Sequence, residues 1–254
     1  MSETLVRTEK LTRLYGEGDE ESVVRALDGV DFTVQQGEAV AMIGPSGSGK
    51  STMMHLLGCL DRPTSGSYFL DSHDTGALDD NELARLRNRV IGFVFQQFFL
   101  LARTSALENV MLPLLYAGTA PGGKSISAHA REQAEAALIR VGLGSRMHHL
   151  PNQLSGGQSQ RVAIARALVT KPRLVFADEP TGALDTKTGR EILDLLLELN
   201  AGGTTLIIVT HDPGVAQRAR RVVAMRDGHI VADGQPHEVV GQVLHASESA
   251  SAAS

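Results

Sequence analysis

After Gly37 the chain alternates short apolar runs with segments of helical period. Ala39–Ile43, Ile91–Phe95, Leu174–Ala177 and Leu206–Val209 are too short and too apolar to be exposed amphipathic helices, and they read as buried parallel strands. Before Gly37, Leu5–Leu14 and Val23–Val34 read as strands of a smaller antiparallel layer. Helical patterns cover Lys50–Leu60, Asn81–Arg89, Ser105–Tyr116, Ser127–Val141, Gly156–Val169, Thr186–Asn200 and Pro236–Val243. From about Gln97 to Gln158 there is no convincing strand, so this stretch reads as a helical insertion, with a flexible loop at Pro121-Gly122-Gly123. The expected fold is α/β with a mostly parallel core sheet, an N-terminal antiparallel layer and an inserted helical subdomain. The expectation is a single domain over 1–245, its core 1–96 and 159–245 and its helical lobe about 97–158. The Ala- and Ser-rich end, Gln242 to Ser254, reads as a frayed tail, with 246–254 disordered.

The clearest chemistry lies between the strand ending at Ile43 and the helix that follows. Gly44-Pro45-Ser46-Gly47-Ser48-Gly49-Lys50-Ser51-Thr52 is a phosphate-binding loop in the context such a loop needs. Its glycines let backbone N–H groups curl around an anion, Lys50 can reach terminal phosphates, and Ser51 can ligate Mg²⁺. A second run, Leu154-Ser155-Gly156-Gly157-Gln158, opens another helix. Alone, Ser and Gly are turn chemistry; beside a phosphate loop the run gains weight.

Two other strands end in polar groups. Leu174–Ala177 is followed by Asp178 and Glu179, placed to hold Mg²⁺, through water in the case of Asp178, and to polarise an attacking water in the case of Glu179. A turn or helix-cap role is the alternative for acids after a strand, and the phosphate loop tips the balance to the functional one. Asp185, closing Thr181-Gly182-Ala183-Leu184-Asp185, reads as the cap of the next helix and as a nucleotide-side residue at once. His211 follows Leu206–Thr210 at the sheet's C-terminal edge, where it can reach the γ-phosphate and the attacking water. Gln96 and Gln97 both end Ile91–Phe95, and alternation does not choose between them as an amide toward Mg²⁺ or water. Tyr15, before Gly16-Glu17-Gly18, could stack on adenine or belong to the core. Phe93, Phe95, Phe98 and Phe99 read as partly core, with those past Gln96 able to line a docking groove. His148-His149 lacks a spaced metal set, and Asp79-Asp80 and Glu20-Glu21 read as solvated.

Composition narrows the class. With 42% hydrophobic and 21% charged residues over 254 positions, the chain is ordinary for a globular protein. The net charge of −5 gives no support to a nucleic-acid surface. No run reaches membrane-span length, so contact with a membrane would come through a partner. Cys59 is the single cysteine, in a helical pattern where a buried, inert thiol is expected.

Together these motifs resemble the ATP-binding cassette of ABC transporters, over roughly Leu5 to Gly234. The match is to the branch that includes macrolide exporters, lipoprotein-releasing complexes and the cell-division ABC complex. It rests on Tyr15-Gly16 with Glu21 through Ala26-Leu27, the phosphate loop, Gly58 through Gly66, Ile91 through Phe98, Ala106 through Val110, Gln153 through Leu168, and Ala177 through Thr188. The resemblance implies an ATPase with MgATP as its nucleotide. It makes Gln96 rather than Gln97 the coupling glutamine, Tyr15 the adenine-stacking residue, Asp178 the magnesium aspartate, Glu179 the catalytic glutamate and His211 the switch histidine. It further implies a head-to-tail homodimer in which Ser155, Gly156 and Gly157 meet the γ-phosphate held by the partner's Lys50 loop. The partner beyond that would be an integral membrane permease with an extracytoplasmic domain, keeping the chain on the cytoplasmic face of the cell membrane. Ser159, Phe99 and Arg103-Thr104-Ser105 depart from the usual pattern, the latter two in the expected docking surface. A soluble ATPase of DNA repair or translation is the rival, disfavoured by one compact cassette with a short Gln96–Leu154 stretch.

Overall fold

Two twelve-residue strands, β1 (Thr4–Tyr15) and β2 (Val24–Gln35), run antiparallel with Val6 opposite Val34 and Thr8 opposite Phe32. Alternation along both strands buries Val6, Leu11, Leu27, Val30, Phe32 and Val34, the period-two pattern of a sheet with one apolar face. The computed structural model describes residues 3–16, 23–117 and 125–242. It forms two compact units, Met1–Leu83 with Thr205–Ser254, and Ala84–Thr204.

In the first unit, β4 (Ser65–Leu70) pairs with β1, and the two-residue β5 (His73–Asp74) pairs with β4, giving an antiparallel sheet in the order β2-β1-β4-β5. β3 (Ala39–Ile43) is buried at every position. It lies parallel to β8 (Thr205–Val209) on one side and to β9 (Arg221–Arg226) on the other, and β10 (His229–Gly234) closes antiparallel on β9. β3 leads directly into α1 (Lys50–Leu57). The short α7 (Pro213–Ala216) follows β8, and 236–242 is helical. Ala41, Ile43, Ala216, Ala219, Val222, Ala224, Val239 and Val240 pack into one buried cluster.

In the second unit, β6 (Ile91–Phe95) lies parallel to β7 (Leu174–Asp178), with Phe95 opposite Asp178. Between these strands lie α3 (Ala106–Ala117), α4 (Ile126–Arg140) and α5 (Gly156–Leu168), and α6 (Thr186–Ala201) follows β7. α3, α4 and α5 pack against one another, and α5 packs on β6 and α6 as well. It is therefore buried on most sides, at Ser159, Gln160, Val162 to Ala165 and Ala167. The remaining helix, α2 (Asp80–Val90), starts with Asp80 and Glu82 and ends with Arg87 and Arg89, the charge order a helix dipole favours.

The α/β expectation and the strand assignments hold, with some differences. Among the described residues, no strand falls between Phe95 and Leu174. α1 stops at Leu57 rather than Leu60, because Gly58 caps it and Cys59 turns to φ +53°. Cys59 is buried, as expected. β4, β5, β9 and β10 were not expected. β9 and β10 are joined through Asp227 and Gly228, both at positive φ (48° and 77°), as a tight two-residue hairpin turn requires. The Pro121-Gly122-Gly123 loop and the tail from 243 onward lie outside the described residues.

Candidate nucleotide site

The loop between β3 and α1 is built from backbone that only glycine permits. Gly44 has φ +151°, and a Cβ there would lie 2.2 Å from the Met225 carbonyl oxygen. At Gly49, with φ +100°, a Cβ would lie 2.5 Å from the Ala26 oxygen. Gly47, at φ +78°, faces open space instead. Two glycines thus let neighbouring backbone close in from behind, while the third leaves the front open. Ser48 is buried, and its carbonyl accepts from the Gly228 N–H at 3.1 Å. α1 begins with no side-chain cap and no acidic residue in its first turn, and the positive end of its dipole faces the loop. Lys50 Nζ donates to the carbonyls of Gly44 and Pro45, both at 2.8 Å, and to Ser48 Oγ at 3.4 Å. The ammonium therefore lies over its own loop. Ser51 is exposed and Thr52 half-buried on the first turn.

Tyr15 ends β1 and is 38% exposed, which removes it from the core. Its hydroxyl donates to Asp61 Oδ2 at 3.2 Å, and the Arg13 guanidinium lies 4.7 Å from the ring centroid. Arg13 is held in turn by Asp61 at 2.9 Å and by the Arg62 carbonyl at 2.9 Å. The cation thus covers one face of a ring set at a fixed angle. His211 is exposed directly beyond β8, and the next residue, Asp212, caps α7 by accepting from the Gly214 N–H at 2.7 Å.

In the second unit the polar residues gather at the C-terminal ends of β6 and β7. Gln96 and Gln97 are both exposed after β6. They differ in reach: the Gln96 amide lies against Gly182, where a Cβ would come within 2.8 Å of Nε2. Asp178 is the last residue of β7, and Glu179 follows with φ +43°, a left-handed backbone that costs energy for a residue with a side chain. The turn closes through Gly182 N–H to the Glu179 carbonyl at 3.0 Å. Asp185 caps α6, accepting from the N–H groups of Lys187 and Thr188. The Thr188 hydroxyl, then these backbone groups, hold its carboxyl below the usual aspartate value.

Ser155 is the N-cap of α5 in a reciprocal box: its Oγ accepts from Gln158 N–H at 3.3 Å, and Gln158 Oε1 accepts from Ser155 N–H at 3.0 Å. Gly156 and Gly157 open the helix, where the N–H groups have no acceptor within it. Gly157 is packed to contact, since a Cβ there would lie 2.4 Å from Thr188 Cγ2. Gln158 therefore organises the turn.

The motif reading passed over three residues. Gln160 is fully buried, and its Nε2 donates to the Pro180 carbonyl at 2.8 Å and the Phe95 carbonyl at 3.3 Å. Arg166 donates to the carbonyls of Phe98 (2.8 Å) and Phe99 (2.7 Å), and burial pushes its guanidinium pKa down. Arg13 supports Tyr15. A polar or cationic residue among the apolar positions of a buried helix was the available signal for the first two. Phe99 is 60% exposed at φ +47°, whereas Phe93 stacks on Phe95 and Phe176. His149 meets Arg146 at 2.8 Å, and no group of three metal-ligating side chains occurs among the described residues. None of the helices among them is long and apolar enough to cross a membrane.

Comparison with known proteins shows the family. The ABC transporter family matches residues 27–182. An uncharacterized ABC transporter ATP-binding protein of Bacillus subtilis, YknY, is 56% identical over 85% of the chain and 91% of its own length. The macrolide export ATP-binding/permease protein MacB of Hyphomonas neptunium is 52% identical over 92% of the chain. The chain spans only 35% of that relative's length. A dimeric post-hydrolysis structure of the ATP-binding cassette MJ0796, bound to ADP and Pi, superposes with a TM-score of 0.81 at 44% identity, covering 91% of this chain and 99% of that one. The chain belongs to the ABC transporter family as an ATP-hydrolysing cassette.

Proposed function

We propose that two copies of this chain bind two ATP molecules head to tail, and that hydrolysis drives conformational work on a membrane permease. The observation that carries the reading is the start of α5. Ser155, Gly156 and Gly157 present an exposed helix N-terminus, with no acid in its first turn, as a site for an anion. The anion assigned to it is the γ-phosphate of ATP held by the partner copy's phosphate loop. The dimeric MJ0796 cassette, bound to ADP and Pi, supports the pairing of two copies.

In each copy the Gly44–Gly49 backbone and Lys50 receive the β- and γ-phosphates, which requires Lys50 to exchange its loop carbonyls for phosphate oxygens. Tyr15 stacks on adenine with Arg13 behind it. Glu179 polarises the attacking water, whose oxygen bonds to the γ-phosphorus as the bond to the β–γ bridging oxygen breaks and ADP departs. His211 donates toward the γ-phosphate and orients the water. Ser51, Asp178 and Gln96 offer hard oxygen donors suited to Mg²⁺, an ion that keeps several waters and is bound through few protein groups together with substrate phosphates. When bound, the ion neutralises charge developing on the phosphate oxygens.

The permease partner rests on the relatives named ATP-binding/permease proteins. It would hold the cassette at the inner face of the cell membrane and carry the extracytoplasmic part. Glu179→Gln tests the reading: the variant should bind ATP, accumulate as an ATP-dependent dimer in size-exclusion chromatography and lose turnover. An ATPase rate equal to wild type would refute it.

A further inference from the structure

Gln160 has no place in the chemistry above, yet it occupies a commanding position. It lies on α5, five residues from Ser155, and is completely buried. Its Nε2 bridges the Phe95 and Pro180 carbonyls, one residue before Gln96 and one residue after Glu179. Both acceptors are carbonyls, so only the NH₂ end of the amide can face them. The amide oxygen has no hydrogen-bond partner among the described residues, so the two donated bonds orient the side chain. β6 and β7 are in register with Phe95 opposite Asp178, and Gln160 therefore pins the ends of two neighbouring strands to one helix.

The backbone supports the need for such a pin. Glu179 sits at φ +43°, a conformation that persists only when its surroundings hold it. The hydrogen bond to the adjoining Pro180 carbonyl is one such hold.

We propose that Gln160 is a positioning residue for hydrolysis. It sets Gln96 and Glu179 relative to the helix whose start reads the partner's nucleotide, so that engagement of one copy's α5 is felt at that copy's own catalytic glutamate. This rests on the roles proposed above for Glu179 and Ser155.

The test is steady-state ATPase of the full chain as wild type, Gln160→Met, Gln160→Asn and Glu179→Gln. Gln160→Met keeps the shape and loses both donors. We expect kcat to fall about 10- to 100-fold, the scale of a small misplacement of reacting groups. KM for ATP and the Kd of a non-hydrolysable ATP analogue should stay within about twofold of wild type, because binding groups are untouched. Gln160→Asn keeps an amide too short to reach both carbonyls and should fall between the two; it carries the test if Gln160→Met does not fold. A folded Gln160→Met or Gln160→Asn chain with wild-type kcat, or one whose loss lies wholly in KM, would overturn the positioning role while Glu179→Gln remains inactive. If Glu179→Gln itself turned over ATP at the wild-type rate, the hydrolytic reading would fail, and this proposal with it.

Discussion

Gly182 and Gln96 leave no room between them for even a methyl group: a Cβ at 182 would lie 2.8 Å from the Gln96 Nε2. The obstructing atom is the free end of a flexible, exposed side chain, so the amide and not the fold should yield. Gly182→Ala is therefore expected to leave Tm unchanged or slightly raised, since alanine restricts the unfolded chain. With Gln96 displaced, ATPase activity should drop about tenfold. Thermal melts beside turnover assays check both halves, and an unchanged rate would remove Gln96 from the hydrolytic geometry.

Gly157 should tolerate a methyl group less well. The opposing atom is the Thr188 Cγ2, on a side chain whose hydroxyl also serves Asp185. Alanine gains up to about 1 kcal/mol of helix propensity at this position, but overpacking typically costs about 1–3 kcal/mol. The single variant should therefore be destabilised by about 1 kcal/mol. Thr188→Ser removes the colliding methyl and keeps the hydroxyl, so the double variant should recover the loss. Denaturant unfolding of the four species measures the coupling directly.

Arg221 ties together three strands. It donates to Asp233 on β10, to Glu38 ahead of β3 and to the Thr33 carbonyl on β2. Its hydrogen bonds to Asp233 push its pKa further up, against desolvation. A raised cation pKa stabilises fully below the unfolded value, so the contribution is present at every working pH. Arg221→Met leaves two acids facing each other and should cost about 2–3 kcal/mol, equally at pH 6 and pH 9. A loss that varied strongly between those pH values would contradict the assignment.

Asp185 behaves in the opposite sense. Its folded pKa is depressed below 3.8, so its stabilising effect is present above that value and fades as pH falls through the lowered one. The Tm gap between wild type and Asp185→Ala should be constant from pH 8 to about 5 and narrow below about 4. Asp185→Asn, which caps without a charge, should show a gap that does not narrow in that way.

Much of this architecture was legible in the chain, for identifiable reasons. β3, β6, β7 and β8 are unbroken apolar runs because parallel strands are covered on both faces, so they announce themselves. α1 ran too long in the reading because Cys59 and Leu60 continue the apolar pattern, while the turn is made by backbone at Gly58 and Cys59. The β9–β10 hairpin was passed over although Asp227-Gly228 is a strong turn signal between apolar stretches. Tyr15 could not be sorted between core and surface from neighbouring residues alone, since Arg13 and Asp61, which set its ring, meet through folding across forty-eight positions of chain. For Gln160 the polar position on a buried helix was visible, but what it holds was not. Its partners are main-chain carbonyls, and no side-chain pattern advertises a backbone acceptor.

The Ser155 cap has a consequence for what the turn can recognise. Accepting the Gln158 N–H occupies a lone pair of the hydroxyl and leaves its one proton to point away from the helix. Beside it, the opening N–H groups of Gly156 and Gly157 are also donors. The turn is thereby one-signed: it can give hydrogens and has almost nothing with which to receive them. A metal ion or an ammonium would find no welcome there, whereas tetrahedral oxyanions such as phosphate or vanadate match it, so helix formation itself determines the sign of the ligand before any partner arrives.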